Sequence, residues 1–189
     1  DHSFILAGAN YVSEDDGDIL VTKTDSLGNI LWSHTYGQLH IVEEAFSIAQ
    51  LPDNGFIIGF VKANLNLNYS SDPGVLKVDS LGNQIWLKYY GSYKDDWGSA
   101  VAVSQDSNYL LGTTYAIEEP GPGNPMMKAR ILKTDTAGNI IWDKKYSQSL
   151  FMGSSSTIDE LPDGSIIASG SGAFDDCMCN MAWIIKVKP

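Results

Sequence analysis

Nearly the same eight-residue motif occurs three times in this chain of 189 residues. Residues 25–32 read DSLGNILW, residues 79–86 read DSLGNQIW, and residues 135–142 read DTAGNIIW. The copies begin 54 and then 56 residues apart. A repeat of this length indicates one supersecondary unit that is copied along the chain and packs against its neighbours. The repeated unit therefore constrains the fold more than any single residue does.

Each motif is flanked by two short segments with the composition of β-strands. The segment before it is apolar and ends in a lysine, and the segment after it begins with tryptophan and ends with tyrosine. These residues are Lys23, Lys77 and Lys133 before the motif, and Tyr36, Tyr90 and Tyr146 at the end of the second segment. Branched and aromatic residues suit strands, while Asp and Gly suit a tight turn between them. Each motif therefore predicts a β-hairpin.

A second hairpin precedes the first in each copy, with turns at residues 52–55, 106–108 and 162–164. Alternating apolar residues around Asn-Gly or Asp-Gly are a strong hairpin signal. The unit is thus predicted to have four antiparallel strands, which we name a, b, c and d in chain order. Units of this size are typical of β-propeller blades. We expect an all-β fold, a single β-propeller domain with about four blades, at residues 1–37, 38–91, 92–147 and 148–189.

The first and last copies of the unit are incomplete in the sequence. The first begins at strand b, and the last ends in strand c. Natural proteins avoid leaving long unpaired strand edges. We therefore expect the sequence to be part of a longer chain that completes the propeller. The alternatives are closure by a second chain, or a four-bladed ring with one incomplete seam.

Charge and hydropathy exclude two classes of partner. Lys and Arg number 12 against 23 Asp and Glu, giving a net charge of −11, whereas a nucleic-acid backbone is bound by clustered cations. No segment approaches the ~20 apolar residues of a membrane helix, so we expect no membrane insertion. The acidic, lysine-poor composition fits an extracellular or cell-surface protein.

The assembled unit resembles a repeat found in secreted and surface proteins of the Bacteroidota. The likeness rests on a lysine-containing strand, Asp-x-x-Gly-Asn, a Trp strand and the hairpin that follows it. It covers residues 23–37, 45–59, 77–91, 133–146 and 162–168. The resemblance implies a quinoprotein-like propeller that is exported, often with a sorting domain for type IX secretion. It implies no catalytic residues, because the repeat is a scaffold signature.

Loops that differ between copies should carry any binding function. The b–c loops and d–a connections lie at one end of the strands and vary in length and content, as functional loops on a regular scaffold do. They are residues 10–17, 64–73, 116–127 and 171–181, and residues 38–44, 92–97 and 147–154. We name this end the variable-loop face, and the end with the short a–b and c–d turns the turn face.

Aromatic residues beside carboxylates on the variable-loop face suit a sugar ligand, because a ring packs on a flat apolar surface and its hydroxyls need acceptors. We predict ligand contacts from Trp97, Tyr93 and Tyr115, with Asp95 and Asp96 as polar partners. Trp97 is the sharpest choice, because the preceding copy has Glu44 at this position. The alternative is that Trp97 is a hydrophobic plug under a neighbouring loop.

Two short segments contain residue types that bind metals. Asp15, Asp16 and Asp18 offer oxygen ligands for calcium, although not with EF-hand spacing, and a solvated acidic turn is the alternative. Sulfur ligands for a soft metal would come from Cys177, Cys179 and Met181. A small disulfide ring or inert thiols are the alternatives there. Calcium apart, no cofactor is predicted.

No constellation for catalysis is recognisable in the sequence. There are three histidines and no Gly-x-Ser-x-Gly motif. We therefore expect a non-catalytic extracellular or cell-surface scaffold that binds a glycan or a protein partner. One alternative is a carbohydrate-active or quinoprotein-like enzyme. Another is a structural spacer in a large surface protein that functions in adhesion.

Overall fold

A computed structural model describes residues 2–64, 70–91, 95–117, 126–146, 154–173 and 180–188. Within these ranges the regular structure consists of fourteen β-strands and no helix, so the expectation of an all-β fold is confirmed. The strands are β1 (Phe4–Ser13), β2 (Asp16–Thr24), β3 (Ile30–Tyr36), β4 (Val42–Gln50), β5 (Phe56–Asn64), β6 (Ser70–Val78), β7 (Gln84–Tyr89), β8 (Ala100–Val103), β9 (Tyr109–Ile117), β10 (Met126–Thr134), β11 (Ile140–Tyr146), β12 (Ser154–Glu160), β13 (Ile166–Ala173) and β14 (Asn180–Val187). No segment in these ranges forms a helix long and apolar enough to cross a membrane.

The strands form four successive antiparallel units, as the repeats predict. Unit 1 contains β1–β3, unit 2 contains β4–β7, unit 3 contains β8–β11, and unit 4 contains β12–β14. A single parallel pairing between Gly17 and Val42 joins units 1 and 2 into one seven-stranded sheet. Among the described residues, unit 1 has no strand a and unit 4 has no strand d.

The c–d turn of each complete hairpin is held by its own Asp and Asn. The Asp25 carboxylate accepts the backbone N–H groups of Leu27 at 2.8 Å and Asn29 at 2.9 Å, and the Asn29 side-chain amide at 2.8 Å. Gly28 has a φ of 86°, which explains the glycine at this position. The same bonds form in residues 79–83 and 135–139. The repeated motif is thus a self-contained turn.

The apolar core lies between consecutive units. Ile19 and Val21 of unit 1 pack with Phe56, Ile58 and other residues of unit 2. A second cluster joins units 2 and 3, and a third joins units 3 and 4. Each inner unit therefore buries one face of its sheet against the unit before it and the other face against the unit after it.

The outer faces of units 1 and 4 lack this cover. Phe4 and Leu6 hold the positions in β1 that Phe56 and Ile58 hold in β5, yet they are 60% and 55% exposed instead of 2% and 0%. At the other end, Ile184 of β14 is exposed. The repeat places apolar residues at both ends of the stack as if a further unit followed.

Candidate functional site

A fully buried carboxylate, Glu43, and a partly buried one, Asp18, mark the junction of units 1 and 2 on the variable-loop face. Glu43, near the start of β4, is fully buried and accepts hydrogen bonds from the Gln38 backbone N–H at 3.2 Å and the Tyr89 hydroxyl at 3.3 Å. A Cβ on Gly37 would overlap the Asp18 carboxylate and lie 3.0 Å from Glu43 Oε2. Gly37 therefore allows both carboxylates to approach the backbone closely.

The junction of units 2 and 3 repeats this arrangement. Asp96 holds the position of Glu43 and is likewise fully buried, with its carboxylate accepting the Ala116 N–H at 3.1 Å. A Cβ on Gly91 would overlap the Asp72 carboxylate, as at Gly37. A Tyr-Gly pair after strand d and an aspartate near the start of strand c thus meet at both junctions.

The electrostatics follow from this burial. Burial raises the pKa of Glu43, although the hydrogen bonds from Gln38 and Tyr89 and the charge of Lys62 partly oppose the rise. Burial also raises the pKa of Asp72, and the nearby carboxylates of Asp96 and Asp95 add to it. The Lys62 ammonium lies 4.7 Å from the centre of the Tyr89 ring. These side chains form a dense set of acceptors, with the Lys62 ammonium nearby.

A second cation at the units 2–3 junction is committed to structural bonds. Arg130 is buried and binds both carboxylate oxygens of Asp143, at 3.0 and 2.9 Å. Its remaining nitrogen donates to the backbone carbonyl of Tyr90 in unit 2. Bidentate pairs of this kind fix geometry as well as charge. Arg130 therefore ties unit 3 to unit 2 beneath the loops.

The loop residues of unit 1 make a surface contact of their own. The Tyr11 hydroxyl donates to the Glu44 carboxylate, and this hydrogen bond raises the pKa of Tyr11 to about 12. Both residues are at least partly exposed. The contact connects the end of β1 to β4.

The structure brings most of the predicted ligand residues to the units 2–3 junction. Trp97 is 43% exposed, while its carbonyl accepts the Thr114 N–H at 2.7 Å and two threonine hydroxyls at 2.9 Å. Tyr115 is half-buried, with the Lys145 ammonium 4.9 Å from its ring centre. The backbone of Trp97 is therefore fixed while its indole reaches solvent.

The two predicted polar partners differ in accessibility. Asp95 is partly exposed and accepts the Ser71 N–H at 2.9 Å. Asp96 is buried, and its carboxylate bonds to the Ala116 N–H of β9 and does not face solvent. Tyr93 lies outside the described residues. Trp97, Tyr115 and Asp95 are thus the predicted residues that present side-chain surface at this junction.

The predicted metal ligands are not brought together where they are described. Asp15 accepts the Ser13 hydroxyl at 2.6 Å and lies 3.9 Å from His40, whereas Asp18 faces Gly37. In the described ranges no group of three or more His, Cys, Asp or Glu residues is placed to hold a metal ion. Cys177, Cys179 and the side chain of Met181 lie outside what the structure describes.

The sequence singled out Asp18 and Asp96 for other roles, but Glu43, Asp72 and the pairing of carboxylates at each junction were missed, although a signal was present. Asp18 and Asp72 each lie five residues before the lysine that ends strand c. Unit 3 has Lys128 at this position, opposite Tyr115 in the strand register. Aligning the copies on the lysine that ends strand c would have shown an aspartate at this position in units 1 and 2 and a lysine in unit 3.

Comparisons with known proteins inform the fold alone. No family model matches the chain, and no curated protein matches it in sequence. A sucrose-6-phosphate hydrolase from Lactobacillus gasseri is similar in structure, with a TM-score of 0.56 and 12% sequence identity. The match covers 100% of this chain and 44% of the hydrolase chain, so this chain spans less than half the length of that protein.

Proposed function

We propose that this chain is a β-propeller scaffold at the cell surface or outside the cell, which binds a glycan or a protein through its variable-loop face. Non-catalytic binding is the function that the geometry supports best. The observation that carries it is Trp97, whose indole is exposed on a backbone fixed by three hydrogen bonds. Unit 2 has Glu44 at the same position, so packing of the repeat does not require an aromatic residue there.

The propeller arrangement is supported by the way the units pack. Each inner unit buries both faces, and the same positions are exposed only at the two ends of the stack. A ring gives every unit two neighbours and so covers both ends, whether further units come from the same chain or a second one. The structural likeness to part of the hydrolase chain is consistent with this arrangement.

A sugar is the ligand whose chemistry these loops fit best. Aromatic rings such as those of Trp97 and Tyr115 offer apolar faces that pack against a pyranose ring. Asp95 offers an acceptor for hydroxyl groups at the same junction, and its bond to Ser71 keeps it in place. The net charge of −11 makes an anionic ligand unfavourable. A neutral or cationic glycan is therefore the expected class.

An enzyme is the second candidate, because Glu43 and Asp72 have raised pKa values. A carboxyl group kept protonated by burial is what a glycosidase uses as its general acid. Glu43, however, is fully buried and hydrogen-bonded to Tyr89, so a substrate does not reach it in this structure. This burial favours a structural role for the junction carboxylates and binding without turnover.

The test is a glycan array with the wild-type chain and two variants, followed by affinity and thermal stability measurements. We expect Trp97→Ala to weaken binding at least about tenfold with only a small change in Tm, because Trp97 is 43% exposed and the hydrogen bonds that fix its backbone do not involve the indole. Leu81→Ala is the matched control, since Leu81 is exposed on the turn face. It should leave affinity unchanged.

Two outcomes would contradict the proposal. Loss of stability in Trp97→Ala with unchanged affinity would identify Trp97 as a packing residue and remove the binding site. Turnover of a glycoside that disappears in Asp72→Asn would establish the enzyme instead.

A further inference from the structure

The strand d of one unit holds the c–d turn of the next unit through two repeated hydrogen bonds. In unit 1, the Trp32 indole donates to the Ser80 carbonyl at 3.3 Å and the Tyr36 hydroxyl donates to the Gly82 carbonyl at 2.5 Å. In unit 2, Trp86 donates to the Thr136 carbonyl at 3.3 Å, and Tyr90 donates to the Gly138 carbonyl at 2.9 Å. We name this Trp–Tyr pair the turn clasp.

The glycine of each held turn fits closely under the clasp. A Cβ on Gly82 would lie 2.5 Å from the His34 ring and 3.1 Å from Trp32, and one on Gly138 would lie 3.0 Å from the Tyr90 hydroxyl. Gly28 belongs to the first turn, which no strand d precedes in the described ranges, and nothing lies within 4 Å of its Cβ position. The glycine is therefore needed for its positive φ in all three turns and for close packing in the two clasped ones.

Unit 3 has the same clasp residues, but the described structure provides no turn for them. Trp142 and Tyr146 pair with Lys133 and Ala129 in the register that Trp32 and Tyr36 have with Lys23 and Ile19. The Tyr146 hydroxyl is buried and has no hydrogen-bond partner, unlike those of Tyr36 and Tyr90. A buried hydroxyl without a partner is costly, so its position indicates a missing acceptor.

The neighbouring strand edge is also free. β2, β6 and β10 each pair with a strand b on one side and a strand d on the other, whereas β14 pairs with β13 alone in the described ranges. Lys186 of β14 corresponds to the lysines that end strand c in the other units. The open edge of β14 and the empty clasp lie where a fourth turn and a fourth strand d would be.

We propose that the edge of β14, with Trp142 and Tyr146, is an acceptor site for one further turn-and-strand segment of the repeat's own type. The turn carbonyls accept the hydrogen bonds of Trp142 and Tyr146, and the strand that follows pairs antiparallel with β14. Recognition by strand addition uses main-chain hydrogen bonds, and the glycine turn supplies the selectivity. The three such segments of this chain are already engaged as β3, β7 and β11, so the occupant is a fourth one.

The test uses a labelled synthetic peptide with the sequence of residues 135–146, blocked at both ends and titrated into the folded chain by fluorescence anisotropy. We expect saturable binding and slower hydrogen exchange at the β14 amides. A peptide with Gly138→Val should bind at least about tenfold more weakly, because a branched residue is disfavoured at positive φ. Tyr146→Phe in the protein should weaken binding of the unchanged peptide about threefold to tenfold.

Tyr90→Phe is the matched protein control, because its hydroxyl is bonded to Gly138 within the chain and lies outside the acceptor site. It should leave peptide affinity unchanged. Absence of saturable binding up to about 1 mM would overturn the proposal. Equal binding of the Gly138→Val peptide, or protection of β1 instead of β14, would overturn it as well.

Discussion

Two substitutions of the same type, Tyr90→Phe and Tyr146→Phe, should have opposite effects on stability. Each removes one hydroxyl from the last residue of a Trp–Tyr pair. Tyr90 donates to the buried Gly138 carbonyl at 2.9 Å, whereas the Tyr146 hydroxyl is buried without a partner. Both side chains pack in apolar clusters and Phe keeps the ring, so the hydroxyl is the main difference.

The magnitudes follow from the hydrogen bonds. Removing the Tyr90 hydroxyl breaks a bond and leaves the Gly138 carbonyl without this donor, which should lower the free energy of unfolding by about 1–3 kcal/mol. Removing the Tyr146 hydroxyl eliminates an unsatisfied polar group at no loss of a bond. The free energy of unfolding of Tyr146→Phe should therefore stay constant or rise, by up to about 1–3 kcal/mol.

Urea unfolding monitored by tryptophan fluorescence measures the free energy of unfolding of each variant. The comparison is valid if m, the slope of this free energy against urea concentration, is the same in both variants. Thermal unfolding should give shifts of about 2–4 °C per kcal/mol in opposite directions. Equal destabilisation of the two variants would refute the reasoning, because it would mean that the hydroxyl of Tyr146 has an acceptor in solution as good as that of Tyr90. A change in m would show that the unfolding reaction itself had changed.

Three further predictions concern the turns, the junctions and the inner strands. The pKa of Asp79 is lowered, mainly by the hydrogen bond from the Asn83 side chain. The stability that Asp79 provides is therefore present above its unfolded pKa of about 4 and is lost as the pH falls. In Asp79→Ala, the free energy of unfolding should depend less on pH in the acid range than it does in the wild type. Burial raises the pKa of Glu43, so the native state binds this proton more tightly and stability falls as the pH rises through that pKa. Glu43→Gln should therefore lose less stability than the wild type as the pH rises above the ordinary glutamate pKa of about 4, measured by urea unfolding. Gly59→Ala should lose about 1–3 kcal/mol, because its Cβ would overlap the Ser99 backbone carbonyl, whereas Gly8→Ala, with nothing within 4 Å, should not lose stability when both are measured by thermal unfolding.

The parts of the fold that the sequence predicted are those determined locally. Each c–d turn is closed by hydrogen bonds between residues at most four positions apart, and its glycine needs a positive φ. Such requirements are visible in any one copy of the motif. Because the motif is repeated, the same turn is expected in every copy. The four-strand antiparallel unit could therefore be predicted before the packing between units was known.

The ion pairs of the lysines that end strand c could not be predicted from the motif alone. Lys133 pairs with Asp106 at 2.8 Å, and Lys186 pairs with Asp163 at 3.0 Å. Both aspartates lie in the a–b turn of the same unit, about 20 to 30 residues earlier in the chain. The pairing depends on the strand order, which brings the two turns of one unit to the same end.

The candidate site was harder to predict than the fold because its residues come from different units. Asp95 and Asp96 are equivalent as a sequence pair, but the fold gives them different surroundings. Asp96 is buried and accepts the Ala116 N–H, whereas Asp95 is partly exposed and accepts the Ser71 N–H. Glu43 and Asp18 are 25 residues apart and meet because the parallel pairing of Gly17 with Val42 brings β2 and β4 together. Neither relation is contained in the spacing of a single copy.

The turn face and the variable-loop face make different kinds of contact between units. This difference explains why the sequence varies between copies mainly on the variable-loop face. On the turn face, each Trp–Tyr pair bonds to main-chain carbonyls of the next unit, so the contact depends on backbone geometry and a glycine. On the variable-loop face, the junctions bury Glu43 fully and Asp72 partly, and the desolvation of these carboxylates opposes folding. That cost is tolerable because the apolar clusters and the turn contacts already fix the spacing of the units. Residues such as Trp97 can then differ from copy to copy without loss of the fold, which is the condition for a binding surface on a repeated scaffold.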